Sequence, residues 1–183
     1  MNKVIHKYIA KIILLASLLF ASTIFAKESD VSIDEQRLKI AFIFKFIDFV
    51  DSKWPVKNSE TINFCVYTGN NKKLSRNIDY YLKDARYSNN KMNVLFDIST
   101  KKVNECDIVY FTNIYSGKYE RIINHIKRKG VLTIGDKKYF ADNYGMIEFI
   151  KYRGKIRFKI NSKSAMKAGV IFNSKLLELS EVR

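Results

Sequence analysis

The run Asp107 to Thr112, DIVYFT, constrains this chain more than any other stretch. Ile108 to Phe111 show no polar alternation, so both faces of this strand must be buried, as in the middle of a parallel sheet. Such a sheet needs helices on both sides, and the chain alternates strand-like and helix-like segments. Ile62–Tyr67 reads as a strand ending at Gly69, Leu74–Tyr87 as an amphipathic helix and Met92–Ile98 as a second strand. After the 107–112 strand, Tyr115–Arg128 reads as a helix and Val131–Ile134 as another strand. The predicted fold class is α/β. It has a mostly parallel sheet flanked by helices on both faces, a C-terminal antiparallel hairpin and a closing helix.

The hairpin is predicted from Met146–Ile150 and Lys155–Ile160, joined by a turn at Arg153 and Gly154. In its second strand Ile156, Phe158 and Ile160 alternate with Lys155, Arg157 and Lys159. A period of two puts the apolar set on a buried face and the cations on the other. Asn161 or Ser162 then caps a helix whose apolar positions are Ala165, Ala168, Phe172, Leu176 and Leu179.

Upstream, Ser32 and Glu35 form a capping box that predicts a helix running to about Val50. Its residues Ala41, Phe42, Ile43, Phe44, Phe46, Ile47, Phe49 and Val50 are apolar on nearly every side. It is read as a core helix, and the alternative is that one face, with Phe42 and Phe46, meets a partner or a second copy. The segment ends at Trp54-Pro55, where Pro stops a helix. Further upstream Lys3, Lys7 and Lys11 precede the apolar run Ile12–Phe25, and Ala26 precedes a polar segment. This is the pattern of a signal peptide, with cleavage expected after Ala26. The expected division is a signal peptide over 1–26 and one α/β domain over 27–183.

The formal charge is +15, and removing three Lys with residues 1–26 leaves 15 − 3 = +12. A basic chain points to nucleic acid, an anionic surface or an acidic partner. Export argues against nucleic acid, and no nucleic-acid-binding motif occurs. No catalytic site is legible. Thr68–Lys73 follows a strand and precedes a helix, but it lacks a phosphate-loop fingerprint. His125 alone remains after His6 is removed, no metal-ligand cluster is visible, and no nucleophile elbow occurs. No enzyme activity and no cofactor are expected.

Cys65 and Cys106 are the only cysteines. Outside the cytosol an even count reads as a disulfide, and the first strand of such a sheet commonly lies beside the third. Two buried free thiols are the alternative.

The stretches KIAFIFKFIDFVDSKWP, Cys65, ECDIVYFTN around Cys106, VLTIGD at 131–136, GMIEF at 145–149 and IRFKIN at 156–161 occur in that order, and together they resemble the YfiR-like family of periplasmic proteins. Two departures are visible. Tyr144 stands where the family often has a Gly before Gly-Met-Ile, and the second Cys pair of some members is missing. The resemblance implies a non-enzymatic periplasmic regulator that restrains an inner-membrane diguanylate cyclase by binding its periplasmic sensor domain. It also implies release by an OmpA-like outer-membrane lipoprotein, and hence control of cyclic-di-GMP signalling and biofilm formation. A homodimer is a further candidate assembly. The alternative is a periplasmic binding module for a small anionic ligand. In either case the cations Lys155, Arg157 and Lys159, with Asn161 and the Tyr144-Gly145-Met146 turn, form the expected contact face. Arg157 is the leading residue because its planar fork holds a carboxylate or phosphate in two bonds.

Overall fold

A computed structural model describes residues 27–51, 53–54, 59–83, 85–87, 90–113, 115, 117, 119–126 and 129–180, with side chains from Asp34 onward, Arg86 excepted. The expected signal peptide therefore lies outside the described residues. The chain divides into two compact units, 1–38 and 39–183. The described part of the first is helix only, the N-terminal stretch of α1 (Lys27–Asp48). The expected start at Ser32 is not observed, because the helix is already running from Lys27.

The second unit is built on a seven-stranded sheet. The strands are β1 (Thr61–Tyr67), β2 (Arg86–Tyr87), β3 (Asn90–Phe96), β4 (Ile108–Phe111), β5 (Leu132–Gly135), β6 (Ile147–Tyr152) and β7 (Lys155–Ile160). Their order is β2-β3-β1-β4-β5-β6-β7. From β3 to β6 all neighbours are parallel, and both edge pairs, β2·β3 and β6·β7, are antiparallel. β4 sits in the middle with all four residues buried, as its unbroken apolar run requires.

The sheet separates two hydrophobic cores. One gathers Ile43, Phe46 and Ile47 of α1, Leu74, Ile78 and Leu82 of α2 (Lys72–Leu82), and Phe149 and Phe158 of the last hairpin. The other gathers Cys65, Phe111 and Val103 with Tyr119 and Ile122 of α3 (Tyr119–Asn124) and Phe140 of α4 (Phe140–Asn143). Helices therefore cover both faces, as predicted. Two of them are shorter than the periodicity implied. α2 stops at Leu82, and the chain then enters the short strand β2. α3 covers Tyr119–Asn124.

The closing helix is broken in two, α5 (Ser162–Lys167) and α6 (Ser174–Leu179). Gly169 sits at φ +75°, its N–H bonds the Met166 carbonyl, and the Val170 N–H reaches back to the Ala165 carbonyl at 2.9 Å. That paired return closes a helix C-terminus, with Ala165 and Val170 both buried in the first core. Phe172, expected inside the helix, instead forms a bridge with Val50.

Candidate interaction site

The hairpin turns at Arg153 and Gly154, both at positive φ (48° and 75°), the geometry that matches strand twist. Register places Glu148 opposite Lys159, Ile150 opposite Arg157 and Tyr152 opposite Lys155. Phe158 and Ile160 are buried in the core under α1, so Lys155, Arg157 and Lys159 share the opposite sheet face, as the alternation predicted. β7 is also the sheet edge. Lys155 and Arg157 are exposed. Lys159 is half-buried and stands 3.8 Å from the Asp142 carboxylate.

Two side chains hold the ground beneath these cations. Glu148 is buried, and its carboxylate accepts the N–H groups of Tyr139 and Ala141 at 3.1 and 3.2 Å. It thereby satisfies the start of α4, where a negative charge is favoured. Asn161 accepts the Ser164 N–H at 2.9 Å, capping α5, and donates from Nδ2 to the Ala141 carbonyl at 2.6 Å. Asn161 is thus a structural clamp between α4 and α5.

Between those two short helices and the end of β7 lies a cleft of about 470 Å³, lined by Asp142, Lys159, Asn161, Ser162, Lys163 and Met166 among others. Lys159 and Lys163 give it positive charge, with Asp142 its single acid. Met166, 62 % exposed, adds an apolar rim. Arg157 and Lys155 continue the positive face along the edge strand, outside the cleft lining.

The structure does not bring every expected residue to this cleft. Tyr144 and Met146 line a different one, on the far side of α5 with Lys167 and Ala168. Met146 is buried, whereas Tyr144 is exposed and its ring meets Tyr119 at 5.5 Å. Phe46 is buried and packs against Phe149 and Phe158, and half-buried Phe42 meets the same two rings. These two phenylalanines are core residues, which is the first reading of that helix. Cys65 and Cys106 are joined in a disulfide, both fully buried, with their Cα atoms 5.9 Å apart.

Two further polar arrangements had no local sequence signal. The Asp97 carboxylate accepts the backbone N–H groups of Thr68, Gly69 and Asn70 and the Thr68 hydroxyl, all within 3.1 Å. The loop that resembled a phosphate loop by position is therefore filled by the chain's own carboxylate. Near the end of β5, Asp136 pairs with buried Lys39 at 3.0 Å and accepts the Tyr110 hydroxyl at 2.8 Å. Burial pushes the Asp136 carboxyl above the ordinary carboxylate range, while Lys39 and Tyr110 pull it back. Among the described residues no group of His, Cys, Asp and Glu is placed to hold a metal ion.

A family model described as YfiR/HmsC-like matches residues 36–181. No curated protein matches the chain. Solved structures do. A conserved domain protein from Vibrio cholerae O1 biovar El Tor is 11 % identical with a TM-score of 0.54, over 80 % of this chain and 59 % of that one. An ABC domain from Streptococcus pneumoniae, solved in complex with L-Trp, is 10 % identical with a TM-score of 0.56, over 76 % of this chain and 58 % of that one. At such identity the likeness shows the fold alone. The chain spans under three-fifths of the length of these two structures.

Proposed function

The chain belongs to the YfiR/HmsC-like family, and on that premise we propose that it is a non-enzymatic regulator acting in the periplasm. In this reading the signal peptide over 1–26 directs export and is cleaved after Ala26, and the buried Cys65–Cys106 disulfide fits an oxidising compartment. The partner is the periplasmic domain of an inner-membrane diguanylate cyclase, restrained while the two are bound. An OmpA-like outer-membrane lipoprotein competes for the regulator and frees the cyclase. The outcome is control of cyclic-di-GMP and biofilm formation.

One observation carries the choice of surface. Lys155, Arg157 and Lys159 stand on one face of an edge strand, and the cleft beside them holds Lys163 with Asp142 as its single acid. Asp142 stands beside Lys159, whereas exposed Lys155 and Arg157, two residues apart, repel one another and gain little unless further acids answer them. An acidic surface on the partner supplies that answer, and Met166 and Ile171, both more than half exposed, supply apolar contact beside it. The test is direct titration of the purified protein with the purified cyclase domain at two salt concentrations. Binding that weakens as salt rises supports the reading, because exposed charge pairs are screened. Absence of binding at low salt overturns it. A second reading, a small anion held by the same face, draws on the cleft volume of about 470 Å³. It predicts thermal stabilisation by citrate with no cyclase present.

A further inference from the structure

The second cleft, on the other side of α5, has a different character. Its volume is about 350 Å³, at the small end of the roughly 300–1,000 Å³ typical of small-molecule sites. Val131, Thr133 and Met146 form a buried floor, each at most 5 % exposed, and Ile123 and Ile126 stand over it as partly buried walls. The lining contains Lys129 and Lys167, both exposed, and no acid. A largely apolar floor offers a bare inorganic anion little, and two exposed cations at the rim repel a cationic guest and attract an anionic one. Together they select a molecule with both parts.

We propose that this cleft binds a small amphipathic carboxylate, its compact apolar body on Val131, Ile126 and Met146 and its carboxylate between Lys129 and Lys167. The volume has room for one ring or a short branched chain bearing a carboxylate. The site is separate from the cationic hairpin face, since Arg157 and Lys159 are not in its lining.

The probes are 3-phenylpropionate and its neutral amide, titrated into the purified protein with the methyl resonances of Ile123, Ile126 and Met146 observed by NMR. The acid should shift these methyls and bind at least about tenfold more tightly than the amide, a difference of about 1.4 kcal/mol. Lys129→Ala with Lys167→Ala, two exposed changes that leave the melting curve in place, should abolish that preference. Equal binding of acid and amide overturns the proposal. So does the absence of methyl shifts with the acid at millimolar concentration, or a preference that survives the double substitution.

Discussion

Glu148 and Lys159 face each other across β6 and β7, yet each is tied to a different end of the same short helix. Glu148 receives the N–H groups of Tyr139 and Ala141 at the start of α4, and Lys159 reaches toward Asp142 near its end. The two residues therefore differ in role. Glu148→Gln should cost about 1–3 kcal/mol, because one buried N–H then faces an amide NH2 instead of an oxygen. Lys159→Ala, which removes a half-exposed pair at 3.8 Å, should cost less than about 1 kcal/mol. Urea denaturation of both variants checks the contrast.

The Cys65–Cys106 bridge closes a loop with a sequence separation of 41. In the chain-entropy account a loop of that size stabilises by about 4 kcal/mol. Cys65→Ser with Cys106→Ser should therefore lower Tm by roughly 8–16 °C. Wild-type protein denatured without reductant should show no free thiol.

Lys39 and Asp136 form a buried pair, and removing one partner strands the other. Lys39→Met should cost about 3–5 kcal/mol at neutral pH. Asp136 already lies above the ordinary carboxylate range, and without Lys39 it moves higher. A carboxyl raised in the folded state favours folding below its unfolded pKa, and that contribution is lost as pH rises through the folded value. The deficit of Lys39→Met should therefore shrink as pH falls, because protonated Asp136 no longer needs a cation. Lys39→Met with Asp136→Asn should recover much of the loss at neutral pH. Denaturation midpoints across a pH series check the sign.

The proposed export predicts a definite N-terminus. Protein recovered from the periplasm should have an intact mass that begins at Lys27. A mass that includes Met1 to Ala26 contradicts the cleavage.

Six of the seven strands were legible because each carries a short apolar run, and the last hairpin announces both faces through Ile156, Phe158 and Ile160, whereas the two-residue β2 lay hidden inside the predicted Leu74–Tyr87 helix. Helix ends were less so. The break at Gly169 depends on a paired return to Ala165 and Met166, which the apolar spacing of Ala165, Ala168 and Phe172 conceals. Glu148 lies between Ile147 and Phe149, where alternation places a charge toward solvent, but α4 folds over that face and buries it. Asp97 and the Thr68 loop lie nearly thirty positions apart, and Lys39 and Asp136 are 97 apart. No local pattern marks either pair. Of the expected contact face, Lys159 and Asn161 meet in one cleft, while Tyr144 and Met146 lie across α5 because that helix stands between them.

The surface assigned to the partner rests most directly on Arg157, which is exposed on β7 opposite Ile150. The decisive measurement is the affinity of the purified cyclase periplasmic domain for wild type and for Arg157→Glu with Lys159→Glu, with melting curves recorded alongside. The account predicts a melting temperature within a few degrees of wild type and a loss of affinity of at least about tenfold, since reversing two charges replaces attraction with repulsion. Unchanged affinity in a folded double variant would place the contact elsewhere and contradict the account.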